Sequence, residues 1–319
     1  MALLEVKNLK TYFKIKRGYV KAVDNISFQV EKGEAMGLAG ESGCGKTTTA
    51  LTILKILPPN GEIRGGKILF SGINLVEIPE EKMRKDIRWK GISIVFQGAM
   101  NALNPVYKVG DQIVEAIRLH ENVTKEEATT RAKKLLELVG IEPSRFDNYP
   151  HEFSGGMKQR ALIAMALSCN PLLMIADEPG TALDVVVQAQ ILKLLRELKD
   201  KLNLSMILIT HDLSIIAEVC EKTTIMYAGK IVEHGSSVNI FKRPLHPYTS
   251  GLIAAFPNIK GPRTRVTSIP GIPPDLLHPP SGCRFHPRCK YAMDICKKKE
   301  PIEVEVEKDH YVACHLITR

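Results

Sequence analysis

The most restrictive feature of this sequence is a glycine-rich segment, residues 40–47, which reads Gly-Glu-Ser-Gly-Cys-Gly-Lys-Thr. It matches the pattern G-x-x-x-x-G-K-S/T, in which glycines let backbone N–H groups turn inward against phosphate oxygens. An apolar strand is predicted at residues 35–39 and a helix from Lys46, so the positive end of the helix dipole faces the same anion. Lys46 can neutralise phosphate charge and the Thr47 hydroxyl can ligate Mg²⁺. The segment predicts a nucleotide site made by Gly40, Ser42, Gly43, Cys44, Gly45, Lys46, Thr47 and Thr48.

Apolar runs alternate with helical patterns over the first 240 residues or so. Further strands are predicted at residues 4–9, 20–30, 92–96, 171–176 and 205–210. Residues 98–160 are predominantly helical, and Thr124 with Glu127 fits a capping box. This alternation is typical of an α/β fold with a mostly parallel sheet.

Cys44 lies inside the phosphate loop. The local electrostatic field there is expected to favour the thiolate form of its side chain.

A second functional pattern is an apolar strand that ends in two acids, since residues 172–178 read Leu-Leu-Met-Ile-Ala-Asp-Glu. Ligands of open α/β sheets bind at the carboxyl edge of the strands. We therefore expect Asp177 to hold Mg²⁺ through water and Glu178 to act as the general base that polarises the attacking water.

Two other polar residues follow predicted strands and are expected at the same edge. Gln97 is a candidate contact for Mg²⁺ or the attacking water, and His211 for a γ-phosphate. A lone histidine after a strand is more often structural, so the strand-end position alone does not decide the role of His211. The candidate catalytic residues are Glu178, His211, Gln97 and Lys46.

Residues 153–160 read Phe-Ser-Gly-Gly-Met-Lys-Gln-Arg, and this segment resembles the signature sequence of ABC ATPases. The resemblance implies that Ser154, Gly155 and Gly156 bind the γ-phosphate of ATP held by an opposite subunit. The family order of motifs is also present over roughly residues 1–240: phosphate loop, Gln97, signature, Asp177-Glu178, Asp184 and His211. The family usually has a hydroxyl residue at position 180, where this chain has glycine, so the loop before Asp184 is expected to be more flexible.

The resemblance implies a P-loop NTPase (RecA-like) core with an antiparallel β subdomain and an inserted helical subdomain. The predicted parts are residues 1–97 and 161–240 for the core, 98–160 for the helical subdomain, and 241–319 for a C-terminal tail. ATP and Mg²⁺ are the implied ligands. An aromatic side chain is implied to stack on adenine, for which Tyr19 is the candidate and Tyr12 and Phe13 are the alternatives.

A narrower resemblance concerns residues 99–105 and 243–252, which are similar to the ATPase subunits of dipeptide, oligopeptide and nickel importers. It implies an ATP-hydrolysing subunit that sits on the cytoplasmic face of the membrane. The implied partners are inner-membrane permease subunits, a paralogous ATPase subunit or a second copy of the chain, and indirectly an extracytoplasmic peptide-binding protein. A nickel importer remains the alternative, and a sugar importer is a further one.

The tail contains four of the seven cysteines, Cys283, Cys289, Cys296 and Cys314, with gaps of five, six and seventeen residues. No C-x-x-C pair is present, so a zinc ribbon is not indicated. Four thiolates could hold a [4Fe–4S] cluster or Zn²⁺, and the spacing alone does not decide between them or exclude unligated thiols. Resemblance to the D-type subunit of peptide importers favours the iron–sulfur cluster. The proline-rich tail is expected to be irregular, with its metal separate from the core that binds ATP.

Charge and length limit the remaining function classes. The net charge is +9, yet no basic run interleaved with aromatic residues is present, so nucleic acid is not expected as a partner. No apolar run reaches the roughly 18 residues that span a bilayer. ABC ATPases of DNA repair carry a long coiled-coil or zinc insertion between phosphate loop and signature, and only about a hundred residues intervene here, without sustained heptads.

Overall fold

The computed structural model describes residues 2–98, 102–255 and 269–318. The chain divides into two compact units, the first formed by residues 1–77 and 208–319 and the second by residues 78–207. Part of the 99–105 segment that resembles peptide importers lies outside the described residues, and so does part of the predicted tail.

The strands of the described residues are β1 (Ala2–Ile15), β2 (Gly18–Glu31), β3 (Ala35–Ala39), β4 (Gly61–Phe70), β5 (Ile73–Asn74), β6 (Ile92–Val95), β7 (Leu173–Asp177), β8 (Ser205–Ile209), β9 (Lys222–Tyr227), β10 (Lys230–Ser236), β11 (Val304–Glu307) and β12 (His310–Val312). The helices are α1 (Lys46–Ile53), α2 (Glu80–Lys82), α3 (Val109–His120), α4 (Lys125–Leu138), α5 (Gly155–Ala166), α6 (Val185–Leu202), α7 (Leu213–Val219), α8 (Ser237–Lys242), α9 (Pro247–Ala254) and α10 (Asp294–Lys298).

The first unit contains an antiparallel sheet in the order β2–β1–β4–β5. A second set of strands runs β11–β12–β10–β9–β3, antiparallel except for the parallel pair β3–β9. All five residues of β3 are buried, as expected for a strand whose two faces are both covered. Because the phosphate loop follows β3 directly, this buried strand fixes where the loop begins.

The tail is more ordered than its proline content predicts. β12 pairs with β10 through Glu233–Val312, His234–Tyr311 and Gly235–His310, so the end of the chain extends a sheet of the first unit. The expectation of irregular backbone throughout the tail is therefore wrong for β11, β12, α9 and α10. Backbone pairing supplies the order that the apolar pattern of these short, charged strands does not show.

A buried carboxylate connects the tail strands to the start of the tail. Glu233 on β10 is fully buried and accepts hydrogen bonds from the N–H groups of Leu245 (2.8 Å) and His246 (2.9 Å). The same carboxylate lies 2.8 Å from Nε2 of His310, which is also fully buried. Burial lowers the pKa of His246 to about 3, so that imidazole stays neutral, and its Nδ1 accepts the N–H of Tyr248 at 3.0 Å.

The second unit combines the parallel pair β6–β7 with helices α2 to α6. Helix α4 begins at the predicted capping box: Thr124 accepts the N–H of Glu127, and Glu127 accepts the N–H of Thr124. Helices α3, α4 and α5 pack on one another through fully buried side chains such as Ile113, Leu136 and Ile163. Strand β8 begins in the second unit and ends in the first.

Within the described part of the chain, none of the helices has both the length and the apolar composition required to cross a membrane.

Replacing Glu233 by alanine should destabilise the first unit strongly. The change leaves two N–H groups and His310 without their buried acceptor, and each unsatisfied group costs about 1–3 kcal/mol. We expect the free energy of unfolding to fall by roughly 3–5 kcal/mol, measured by urea denaturation. The control is Glu303→Ala, which removes a 3.3 Å pair between the exposed Glu303 and the half-buried His234 and should cost under about 1 kcal/mol. Equal losses in the two variants would contradict the role given to Glu233.

Candidate functional site

The phosphate loop connects β3 to α1 along a path that requires glycine at two positions. Gly40 has a φ of 149°, and a Cβ there would lie 2.1 Å from the carbonyl oxygen of Met226. Gly45 has a φ of 109°, and a Cβ there would lie 2.3 Å from the carbonyl oxygen of Ala22. The loop is therefore packed directly against backbone, where no side chain could fit.

Lys46 holds the loop from within. Its Nζ donates to the carbonyl oxygens of Gly40 (2.6 Å) and Glu41 (3.1 Å), and the residue is buried. Ser42, Gly43 and Thr47 are exposed, and Thr48 is half-buried. The loop thus leaves the hydroxyl residues Ser42 and Thr47 open to solvent at the start of α1, with Lys46 beside them, which is a suitable surface for an anion.

Cys44 differs from the sequence-based expectation. The residue is buried, and burial raises the pKa of its thiol, an effect that the nearby Lys46 opposes without reversing it. The prediction of a thiolate at this position is therefore wrong. The field of the loop is outweighed because the sulfur is removed from water.

The phosphate loop also contacts the tail, which the sequence analysis placed apart from it. The N–H of Glu41 donates to the hydroxyl of Tyr248 at 2.9 Å. The carboxylate of Glu41 accepts two hydrogen bonds from Arg288, at 2.6 and 3.0 Å. Neither Tyr248 nor Arg288 was identified from the sequence, since no local pattern relates residues about two hundred positions apart.

In the second unit, the buried strand β7 ends at Asp177, which is 1% exposed, and continues into Glu178. Glu178 has a φ of 48°, a left-handed conformation that is strained for a residue with a side chain. Its Oε2 accepts a hydrogen bond from Nε2 of Gln97 at 2.8 Å and another from the hydroxyl of Thr181 at 2.9 Å. The structure therefore brings Gln97 and Glu178 together and adds Thr181, which the sequence analysis missed although it lies only three residues away.

The signature residues begin a helix. Ser154 caps α5 by accepting the N–H of Met157 at 3.3 Å, and Gly155 and Gly156 form the first turn. Asp184 caps α6 in the same way, accepting the N–H of Val187 at 2.9 Å. A Cβ on Gly180 would lie 2.5 Å from Cγ of Gln188, so the side chain of Gln188 occupies the space that a residue larger than glycine would need.

The aromatic candidates for adenine occupy different environments. Tyr12 donates its hydroxyl to Asp24 at 2.7 Å, and burial together with that bond raises the pKa of Tyr12 to about 12. Tyr19 is half-buried, and the guanidinium of Arg64 lies 4.9 Å from its ring centre. His211 is an exposed residue that follows β8 in the first unit.

The four tail cysteines belong to the first unit, and none of them forms a disulfide. Burial raises the pKa of Cys283 to about 11, and the thiols of Cys296, Cys314 and Cys289 raise it as well, so the four lie near one another. Among the described residues, however, no three cysteine, histidine or acidic side chains are grouped closely enough to hold a metal ion. The thiols approach one another but are not arranged as a formed metal site.

Three of these sulfurs also receive backbone hydrogen bonds from two residues further along the chain. The N–H groups of Phe285, Tyr291 and Leu316 donate to Cys283, Cys289 and Cys314, respectively. Each bond lowers the pKa of the thiol that accepts it, although burial has the larger, opposite effect. The backbone around the cysteines is thus arranged to favour negative charge on sulfur.

Comparison with protein families finds two matches along the chain. The ABC transporter family matches residues 23–181. The C-terminal region of oligopeptide/dipeptide transporters matches residues 232–296, which overlap the first part of the tail.

Curated relatives match over nearly the whole length. The oligopeptide transport ATP-binding protein OppD of Bacillus subtilis is 48% identical over 99% of this chain and 89% of its own length. The protein of the same name from Escherichia coli is 46% identical over 95% of this chain and 90% of its own. The dipeptide transport ATP-binding protein DppD of Caldanaerobacter subterraneus is 43% identical over 98% and 97%, respectively.

Solved structures of ABC cassettes also match this chain, at lower sequence identity. A dimeric post-hydrolysis state of an ATP-binding cassette bound to ADP and Pi is 25% identical, with a TM-score of 0.66, and covers 73% of this chain and 98% of the cassette. A dimeric bacterial ABC transporter cassette is 26% identical, with a TM-score of 0.65 and the same coverage.

Gly40→Ala and Gly43→Ala are a matched pair that tests how the phosphate loop is held. A Cβ at position 40 meets the carbonyl of Met226, whereas one at position 43 meets nothing within 4 Å. Both positions have positive φ, which costs an alanine about 1–2 kcal/mol. We expect Gly43→Ala to lose about that much stability and Gly40→Ala to lose clearly more, by thermal unfolding. Indistinguishable midpoints would show that the loop is not packed against Met226.

Proposed function

The chain belongs to the ABC transporter ATP-binding proteins, in the oligopeptide and dipeptide branch, and on that basis we propose how its residues carry out ATP hydrolysis. It is the ATP-hydrolysing subunit of an importer for oligopeptides or dipeptides. The observation that carries this conclusion is 43–48% identity to such subunits over almost the full chain. The match of residues 232–296 to the C-terminal region of oligopeptide/dipeptide transporters supports the same branch.

The phosphate loop is the proposed site for the phosphates of ATP. Its N–H groups and the dipole of α1 receive the β- and γ-phosphates, through Gly40, Ser42, Gly43, Cys44, Gly45 and Thr48. Lys46, which is bonded to loop carbonyls here, neutralises phosphate charge. Support comes from the exposed Ser42, Gly43 and Thr47, which leave the loop open to a ligand. Tyr19 is the proposed partner of the adenine ring, with Arg64 against the same side chain.

The carboxylates of the second unit are the proposed hydrolytic groups. Glu178 is the general base for the attacking water, and its orientation is supported by Gln97 and Thr181. Magnesium has suitable oxygen donors in Asp177, Gln97 and Thr47, and when bound it supplies charge neutralisation at the phosphates. His211 is proposed to contact the γ-phosphate.

The signature and Asp184 are proposed to act between two ATPase subunits. Subunits of this kind work with membrane permeases and form dimers, and we propose inner-membrane permeases as the partners of this chain. Ser154, Gly155 and Gly156 present the N-terminus of α5, which suits the γ-phosphate bound by a second subunit. That second subunit is a paralogue or another copy, at the cytoplasmic face of the membrane, and a peptide-binding protein delivers the cargo.

The tail cysteines are the proposed ligands of a [4Fe–4S] cluster, with Zn²⁺ as the alternative. Burial raises the pKa of the thiols of Cys283, Cys289 and Cys314. A bound metal cation would offset that cost, because coordination deprotonates cysteine thiols. The backbone N–H groups directed at Cys283, Cys289 and Cys314 support this assignment, since hydrogen bonds to sulfur accompany iron–sulfur ligation. A short chain segment with few apolar contacts gains order from such a group.

Glu178→Gln tests the catalytic assignment. Glutamine keeps the size of the side chain and one acceptor oxygen, but it cannot accept a proton. We expect ATP affinity to be retained while steady-state hydrolysis falls by about 10²–10⁴-fold. The matched comparison is Lys46→Ala, which should weaken nucleotide binding instead. Normal turnover by Glu178→Gln would remove Glu178 from the mechanism.

Cys289→Ser tests the tail assignment on protein purified without oxygen. The unsubstituted chain should be brown and contain about four irons, as a four-thiolate cluster requires, and the variant should be colourless with a tail more readily cleaved by protease. Cys169→Ser, at a buried thiol of the second unit, should keep the colour. One zinc in a colourless protein would replace iron by zinc, whereas a metal-free chain with a protease-resistant tail would exclude both.

A further inference from the structure

The tail segment from Cys283 to Cys289 contains two arginines, Arg284 and Arg288, that contact residues in or beside the phosphate loop. The side chains of Arg284 and Arg288 are 8% and 5% exposed, although arginine is rarely buried without a partner. Both find carboxylate partners in the first unit, Asp24 and Glu41. A buried guanidinium that is paired with a carboxylate has a defined orientation. The position of the tail therefore affects the positions of Asp24 and Glu41.

Arg288 holds the side chain of Glu41, the second residue of the phosphate loop. The two nitrogens donate to the two carboxylate oxygens at 2.6 and 3.0 Å, and this bidentate geometry fixes both groups in one plane. Nε of the same guanidinium donates to the carbonyl of Pro270 at 2.8 Å. The ring of Tyr227 lies 5.8 Å from the guanidinium carbon. Arg288 is therefore itself held on several sides.

The N–H, the carbonyl and the carboxylate of Glu41 all take part in hydrogen bonds. Its N–H donates to Tyr248, its carbonyl accepts from Lys46, and its carboxylate accepts from Arg288. The carbonyl also accepts the N–H of Cys44 at 3.3 Å, which closes a turn inside the loop. The orientation of this peptide unit decides which way the following N–H groups point, so the tail acts on the part of the loop that faces a phosphate.

The aromatic side chains beside Arg288 connect it to the start of the tail. Tyr248 is fully buried, and its ring lies 4.6 Å from that of Tyr227 and 5.4 Å from that of Phe285. Phe285 is part of the same 283–289 segment. The two tail groups that hold Glu41 are thus packed into one apolar cluster, and they cannot move independently.

Arg284 is linked through backbone groups to the middle of the loop, at Cys44. Its guanidinium donates to the carbonyl of Ala228 and to Asp24. The next residue, Gly229, donates its N–H to the carbonyl of Cys44 at 2.9 Å and accepts the N–H of Asp24 at 2.8 Å. The segment 283–289 therefore supports the phosphate loop near its beginning and near its middle.

We propose that Arg288 is a positioning residue for nucleotide binding, which holds the phosphate loop in its binding shape through Glu41. The proposal rests on the proposed role of residues 40–47 as the nucleotide site. It also means that the tail is not separate from ATP binding, contrary to the expectation from sequence. Loss of order in the tail weakens nucleotide binding, because the loop loses the partners of Glu41.

The experiment measures the dissociation constant of MgADP for the full chain by titration calorimetry. Arg288→Ala should weaken binding roughly tenfold, within the range usual for coupled sites. Glu41→Gln should weaken it by a similar factor, and the double variant by no more than either single change, because all three remove the same interaction. Glu41→Gln leaves the tail sequence intact, so it keeps the test valid where Arg288→Ala folds poorly.

Two further readouts separate positioning from a general loss of stability. The buried Cys44 should react faster with N-ethylmaleimide in Arg288→Ala, as followed by mass spectrometry of the peptide containing it. The KM for ATP should rise while kcat stays within about twofold, since uniform binding is lost. The control is Arg243→Ala, whose pair with Glu307 at 3.3 Å involves neither residue of the Glu41–Arg288 pair, and which should behave as the unsubstituted chain.

Lys46→Ala distinguishes failure of this inference from failure of the proposed function. If Lys46→Ala binds MgADP normally, residues 40–47 are not the nucleotide site and both proposals fall. If Lys46→Ala loses binding while Arg288→Ala retains full affinity, the nucleotide site stands and the positioning role is wrong. Additive losses in the Arg288→Ala/Glu41→Gln double variant would also overturn it.

Discussion

The close approach of backbone to backbone around the phosphate loop is the constraint on which the rest of the first unit depends. Gly40 lies against the carbonyl of Met226 and Gly45 against that of Ala22, at distances that exclude a Cβ. These contacts fix the loop to β9 and β2, the strands that contain the two carbonyls. Lys46 then binds two carbonyls of the loop itself. The loop's shape is therefore built by its neighbours before any ligand arrives, which reduces the entropy cost of binding.

Carboxylates that accept several donors organise the structure at three points. Glu233 fixes the start of the tail to β10, Glu41 joins the phosphate loop to the tail, and Glu178 is held by Gln97 and Thr181 in the second unit. A carboxylate can accept about four hydrogen bonds, so one side chain can fix several segments at once. At Glu178 the donors also offset a strained left-handed backbone, a combination that is commonly found at functional sites.

The sequence predicts local features of this protein well and long-range partners poorly. The strand at 92–96 is observed as Ile92–Val95, the strand at 205–210 as Ser205–Ile209, and the capping box at Thr124 is confirmed. Strand β11 was not predicted, because it is four residues long and contains Glu305 and Glu307 rather than an apolar alternation. Gln97 and Glu178 are 81 positions apart, and Glu41 and Arg288 are 247 apart. The sequence contains many polar and charged residues, and the folded structure is needed to show which of them become partners.

Arg284 and Arg288 lie between two cysteines, and this position restricts where their side chains can go. A segment of seven residues with both ends near a common group of thiols has few conformations, and each arginine is the direct neighbour of one of the two cysteines. When the cysteines are fixed in place, the arginines beside them are therefore restricted to few conformations, because a short segment has little conformational entropy. Lysine at position 288 would keep the charge, but it lacks the planar fork that binds both oxygens of Glu41. The phosphate loop is thus supported by residues from the opposite end of the chain, and its conformation reflects the state of the tail.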